Sequence, residues 1–171
     1  LQRVQHLSLT ALGVCLIVLI LAIVAQVICS ALDINPLLAW EAAYPLIGKA
    51  ITLNSLLEFQ WHLLVIAGLL PAGLIWLMDR HVRVDFIYMR QEDRLKARID
   101  LFGNLMFAAP FFVLVLPAAW TFTERAWRSD EASRNGGLVD LWMIKSVLPL
   151  GLALMALAVA VECIRLMKAA R

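Results

Sequence analysis

Few residues in this chain of 171 could do chemistry, and their spacing indicates which kind. Glu58 and His62 stand four residues apart, so a helix puts them on one face. Two readings follow. An ionisable pair inside an apolar segment can handle protons. Alternatively, Ser55-Leu56-Leu57-Glu58 is a helix-start signature, with Ser55 as the cap and Glu58 reaching back to the Ser55 amide. A carboxylate there also meets the positive end of the helix dipole. The pair falls within two turns of the polar boundary, which favours the cap and makes His62 an interfacial neighbour. Glu162 and Arg165, three apart, read as a local ion pair.

The remaining candidates are isolated. A bis-histidine haem needs facing histidines at matching depth. Of His6, His62 and His81, only His62 falls inside an apolar run. Cys15, Cys29 and Cys163 lie in apolar runs with no Cys-x-x-Cys pair, so they read as small buried hydrophobes and not as a disulfide framework or a zinc site. Gln26 and Asn104 are polar positions within apolar runs, expected to hydrogen-bond to a neighbouring helix. Gly68 with Ala72, and Ala156 with Ala160, are spaced for close helix packing. No phosphate-binding glycine loop, nucleophile–base set or metal-ligand cluster is present in the sequence. No catalytic, cofactor-binding, metal or substrate-binding residue is therefore assigned, and the chain does not read as an enzyme.

The elements that must carry these residues are set by composition. Hydrophobic residues make up 63% and charged residues 16%, with a net charge of +2 and a mean hydropathy of +0.83. Soluble domains are nearer half apolar and a quarter charged. A disordered chain, a nucleic-acid-binding domain and a typical soluble enzyme are excluded, and an integral membrane protein fits. The expected class is all-α, with four transmembrane helices at about 11–32, 56–78, 101–122 and 141–167 in one membrane domain, 1–171. The first run is too long for a signal-peptide core and lacks a small-x-small cleavage pattern, so it reads as a retained span. Pro71, Pro110, Pro117 and Pro149 predict kinks within the spans.

Four spans put both termini on one side. The inner loop, 79–100, carries Arg80, Arg83, Arg90, Arg94, Lys96 and Arg98; Arg3, Arg165, Lys168 and Arg171 join it at the termini. The opposite side has only Lys49, Arg125, Arg128, Arg134 and Lys145. The positive-inside rule then makes the termini cytoplasmic. Trp40, Trp61, Trp120, Trp127 and Trp142 fall near the outer boundary and Trp76 near the inner one. The outer loops are 33–55 and 123–140. The first is rich in Leu37, Leu38, Trp40, Tyr44 and Ile47, and predicts one or two short interfacial helices broken at Pro45. The second holds the turn Asn135-Gly136-Gly137.

The most specific stretch is the inner-loop run Asp79-Arg80-His81-Val82-Arg83-Val84-Asp85-Phe86-Ile87-Tyr88. It follows a span that opens Leu57-Glu58-Phe59-Gln60-Trp61-His62, and it precedes Trp142-Met143-Ile144-Lys145-Ser146-Val147-Leu148-Pro149-Leu150-Gly151. This combination resembles the small membrane subunit of tripartite ATP-independent periplasmic (TRAP) transporters, the DctQ family, over essentially the whole chain. The opening of span two is similar to the branch labelled mannitol/chloroaromatic, and Arg80 departs from a frequent family glycine. The resemblance implies a bacterial inner-membrane protein that works with a large permease subunit and a periplasmic substrate-binding protein. It further implies sodium-coupled transport of organic acids, in which this subunit is a static scaffold for an elevator-type permease and carries no substrate site. Under it, His81, Arg83 and Asp85, alternating on one side of an extended segment, become a docking or loop-locking element. Two other functions are compatible with four spans: a haem or quinone membrane anchor, and a stand-alone homo-oligomeric exporter. The histidine placement argues against the first, and the second would have only Glu58 as a coupling carboxylate.

Overall fold

The computed structural model describes residues 2–78, 86 and 88–169. His81, Arg83 and Asp85 lie outside the described residues. The chain runs through helix α1 (Gln2–Ala31), strands β1 (Leu38–Tyr44) and β2 (Gly48–Ile51), and helices α2 (Leu53–Leu69) and α3 (Ala72–Leu77). A 3-10 turn at Tyr88–Arg90 leads into α4 (Asp93–Gly103), a π-helical turn (Asn104–Ala108), α5 (Ala109–Arg128) and α6 (Trp142–Ala169). Four helical stretches among the described residues are long and apolar enough to cross a membrane: His6–Ala31, Leu53–Leu77, Asp93–Arg128 and Trp142–Ala169. The chain is a multi-pass membrane protein.

Its surface follows from that solvent. The buried apolar residues are mostly alanines, namely Ala22, Ala97, Ala119, Ala126 and Ala158, joined by Phe112, Leu138 and Val159. Large side chains point outward instead, as at Leu7, Val113 and Leu114, which are 73%, 71% and 72% exposed. In water such a surface would drive association. In lipid it costs nothing, and small residues inside let backbones approach.

Prolines mark the irregularities. Pro71 sits between α2 and α3, and the Ile75 amide closes onto the Pro71 carbonyl at 2.9 Å. Pro110 stands two residues past the end of the π-helical turn. A proline supplies no amide and crowds the carbonyl four residues back, and an extra residue in the turn relieves both. Pro117 and Pro149 remain inside α5 and α6.

The described residues form two compact units. The first gathers Leu1–Leu69 with Thr121–Leu148, and the second Leu70–Trp120 with Pro149–Arg171. In the first, α1 lies along α2. The Gln60 side-chain amide donates to Gln26 Oε1 at 2.9 Å and to the Ala22 carbonyl at 3.3 Å. Cys15 Sγ reaches the Leu63 carbonyl at 3.5 Å. In the second, α3 presses on α6. Gly73 is buried, and a Cβ there would sit 2.7 Å from the Leu154 carbonyl oxygen. Close helix approach therefore occurs at Gly73, whereas Gly68 has nothing within 4 Å.

The segment between α1 and α2 corrects an expectation. Instead of interfacial helices, Leu38–Tyr44 and Gly48–Ile51 pair antiparallel, with Leu38 opposite Ile51, Ala39 opposite Ala50 and Tyr44 opposite Gly48. Extra residues in β1 between Ala39 and Tyr44 disturb the register. Ala39, Ala42 and Ala43 favour helix locally, but bonds from elsewhere decide the outcome. The Trp40 indole donates to the Gly48 carbonyl at 2.8 Å, and its ring meets Tyr44 edge-on at 5.6 Å. Leu46 holds a left-handed turn conformation at φ 67°. Its amide donates to Asp140 Oδ2 at 3.1 Å, and its carbonyl accepts from the Val139 amide at 2.9 Å. Strand formation depends on such partners more than on local preference.

Candidate functional site

The polar groups of the first unit converge on the start of α2. The helix begins at Leu53, two residues before the expected cap. Thr52 and Ser55 make the reciprocal pair instead. The Ser55 amide donates to Thr52 Oγ1 at 3.1 Å, and the Thr52 amide donates to Ser55 Oγ at 3.2 Å. Ser55 is thus the third residue of the helix and fully buried, not its cap. Threonine and serine three apart satisfy the same two amides that a serine–glutamate box would.

Glu58 is released from capping and turns to the loop between α5 and α6. Its Oε1 accepts from the Ser133 hydroxyl, and its Oε2 accepts from the Leu138 amide at 2.7 Å. Gly137 lies against the same carboxylate, where any Cβ would overlap it. Around this contact, Thr52 Oγ1 donates to the Gly136 carbonyl at 2.8 Å and the Asn54 side chain to the Asn135 carbonyl at 2.5 Å. The loop closes on itself through Ser133 N–H to the Leu138 carbonyl and Leu141 N–H to the Glu131 carbonyl, both at 2.9 Å. Glu58 is half-buried, so these charge-assisted bonds are worth more than their exposed equivalents.

His62 does not meet the Glu58 carboxylate. Its Nδ1 lies 2.5 Å from the Glu58 backbone carbonyl. A carbonyl only accepts, so Nδ1 carries the proton and Nε2 of the neutral ring is an acceptor. Nε2 is buried with no hydrogen-bond partner among the described residues. The geometry brings Glu58 and His62 together through backbone and gives no direct proton path between their side chains.

The other singled-out residues are scattered. Gln26 is held by Gln60, a residue that sequence reasoning did not single out; its signal was an amide inside an apolar span. Asn104 is in the π-helical turn and only 7% exposed. Glu162 and Arg165 stand 3.5 Å apart. Lys145 pairs with Glu131 at 2.5 Å over the Phe122 ring, 4.3 Å from its centroid. Beside it Trp127 meets Trp142 edge-on at 4.4 Å. His6 is exposed. No group of three or more His, Cys, Asp or Glu side chains among the described residues could hold a metal ion.

The arrangement is that of a braced loop, with a carboxylate spent on positioning backbone and hydroxyl groups. The family model for tripartite ATP-independent periplasmic transporters, DctQ component, matches residues 46–169. The match begins at the hairpin turn and takes in α2 to α6, so both the Thr52–Ser55 cap and the Glu58 brace fall within it. A search of curated proteins finds no significant match.

Proposed function

The chain belongs to the DctQ family, the small membrane component of TRAP transporters, and from that premise we propose that it is the static scaffold of a sodium-coupled organic-acid transporter. Transporters of this family work with a large permease subunit and a periplasmic binding protein. In this reading the large subunit holds substrate and sodium and moves, while this chain enlarges the fixed frame in the bacterial inner membrane. Both termini and the 79–100 loop face the cytoplasm, by the distribution of basic residues. The opening of α2 supports placement in the mannitol/chloroaromatic branch.

One observation carries the scaffold reading: Gln26, Gln60 and Glu58, polar groups of α1 and α2, are engaged with this chain itself. Gln26 and Gln60 bond to each other, and Glu58 is held by Ser133 and Leu138. A carboxylate substrate needs positive groups or helix N-termini aimed at it, and sodium needs several oxygens. Neither set is offered by these pairs. The test is transport by the reconstituted complex, normalised to assembled protein. Glu58→Gln, His62→Ala, Gln26→Leu and Asn104→Leu should lower the yield of complex and leave sodium dependence and substrate preference unchanged. A changed sodium stoichiometry in any one of them overturns the scaffold reading.

His81, Arg83 and Asp85 extend the proposal to assembly, as a docking or loop-locking element toward the large subunit. Arg83→Ala and Asp85→Ala should each reduce copurification, and the Arg83→Asp, Asp85→Arg swap should restore part of it. Undiminished copurification of both single variants and the double variant removes the element.

A further inference from the structure

The second unit contains a cavity of about 940 Å³ bounded by residues of α3, the 3-10 turn, α4, the π-helical turn, α5 and α6. Its walls change character along the helix axes. At one end stand Tyr88, Asp100 and Glu162; at the other stand Phe107, Phe111 and Met155. Asp100 and Phe111 are eleven residues apart, which at 1.5 Å per residue is about 16 Å. Half of a bilayer's hydrocarbon core is about 15 Å. The cavity therefore runs the depth of one leaflet, polar at one end and aromatic at the other.

The polar end has a definite charge pattern. The Tyr88 hydroxyl donates to Asp100 Oδ2, which orients that carboxylate. Glu162 lines the same end, its side chain 31% exposed, and Arg165 stands beside it at 3.5 Å. Four residues deeper than Asp100 is Asn104, 7% exposed, whose side-chain amide offers both a donor and an acceptor. This amide lines the cavity at the depth between head and tail.

We propose that this cavity is a site for one phospholipid with a primary ammonium headgroup, of the phosphatidylethanolamine class. The ammonium donates to Asp100 and Glu162, which supply the acceptors, and Arg165 answers the phosphate. Asn104 meets the ester region, and one acyl chain runs past Phe107 to Phe111. Two carboxylates disfavour an anionic headgroup. A quaternary choline headgroup has no N–H to donate, so it forfeits the charge-assisted bonds that an ammonium makes. The proposal rests on the membrane-spanning character of these helices and not on the transport reading, and it stands or falls separately.

The experiment is native mass spectrometry of the delipidated full chain. It is titrated with phosphatidylethanolamine, phosphatidylcholine and phosphatidylglycerol of identical acyl chains. One phosphatidylethanolamine should bind about tenfold more tightly than either of the others, the equivalent of one charged hydrogen bond. Glu162→Gln should erase most of that preference, and Ala108→Trp, which fills the cavity, should abolish the tight site with helical circular dichroism retained. Equal binding of the three lipids by the unaltered chain overturns the proposal whether or not the variants fold. So does a cross-link from Ala108→Cys to the large subunit in the assembled complex, since it puts protein where the lipid should be.

Discussion

The Glu58 carboxylate fills the space that a side chain at Gly137 would occupy. Residues 79 positions apart are thereby made interdependent: the glycine exists so that the carboxylate can reach Ser133 and the Leu138 amide. Gly137→Ala and Glu58→Gln should both destabilise the purified protein, Glu58→Gln by about 2 kcal/mol through loss of charged acceptors. Because they remove one and the same contact, the double variant should lose much less than the sum. Thermal unfolding in detergent reads both effects; strictly additive losses would dissolve the link.

Two glycines of neighbouring sequence should respond oppositely to alanine. Gly73 meets the Leu154 backbone, so Gly73→Ala forces α3 and α6 apart and should cost about 1–3 kcal/mol. Gly68 has open space around it, and Gly68→Ala should gain up to about 1 kcal/mol from the helical backbone. Melting temperatures of the two variants, compared with wild type, check the sign of each.

The Gln26–Gln60 bond joins α1 to α2. Polar pairs between membrane helices average about 0.6 kcal/mol, because the separated helices also find partners. A double-mutant cycle with Gln26→Leu and Gln60→Leu should return a coupling of that size. A coupling of zero would mean that the two amides bond elsewhere in the membrane.

Orientation is open to chemical labelling. With Cys15, Cys29 and Cys163 replaced by alanine, Asn135→Cys should react with an impermeant thiol reagent applied to intact cells. Arg94→Cys should react only after permeabilisation. Both positions are exposed on the protein surface, so a negative result reports sidedness and not burial. Reaction of Arg94→Cys in intact cells would invert the topology.

The spans were legible because lipid demands long apolar runs, and such runs need no partner to be recognised. The helix start was legible only to within a turn. Ser55-Leu56-Leu57-Glu58 satisfies the rule for a reciprocal cap, whereas Thr52-Leu53-Asn54-Ser55 has a hydroxyl where the rule asks for Glu or Gln, and nothing local says that Glu58 is wanted elsewhere. That need comes from Leu138, 80 residues on. The hairpin was hidden for the same reason. Ala39, Glu41, Ala42 and Ala43 read as helix until Leu46 is bracketed by Val139 and Asp140. Lys145 also finds its carboxylate across a loop, in Glu131, which no helical spacing reveals. The Glu162–Arg165 pair, by contrast, is local and needed only a spacing of three.

The bracket on Leu46 also has a dimension in time. Leu46 and Asp140 are separated by 94 residues. A ribosome adding about 5–20 residues per second delivers the second roughly 5 to 20 s after the first. Throughout that interval the hairpin turn has no anchor, although the polypeptide between the two points is already being handed to the membrane. The turn consequently sets only once α5 and the loop that follows it have been made. A chain stalled before residue 139 would carry α1 to α5 and an unfinished loop, with α6 and its close approach to Gly73 still missing.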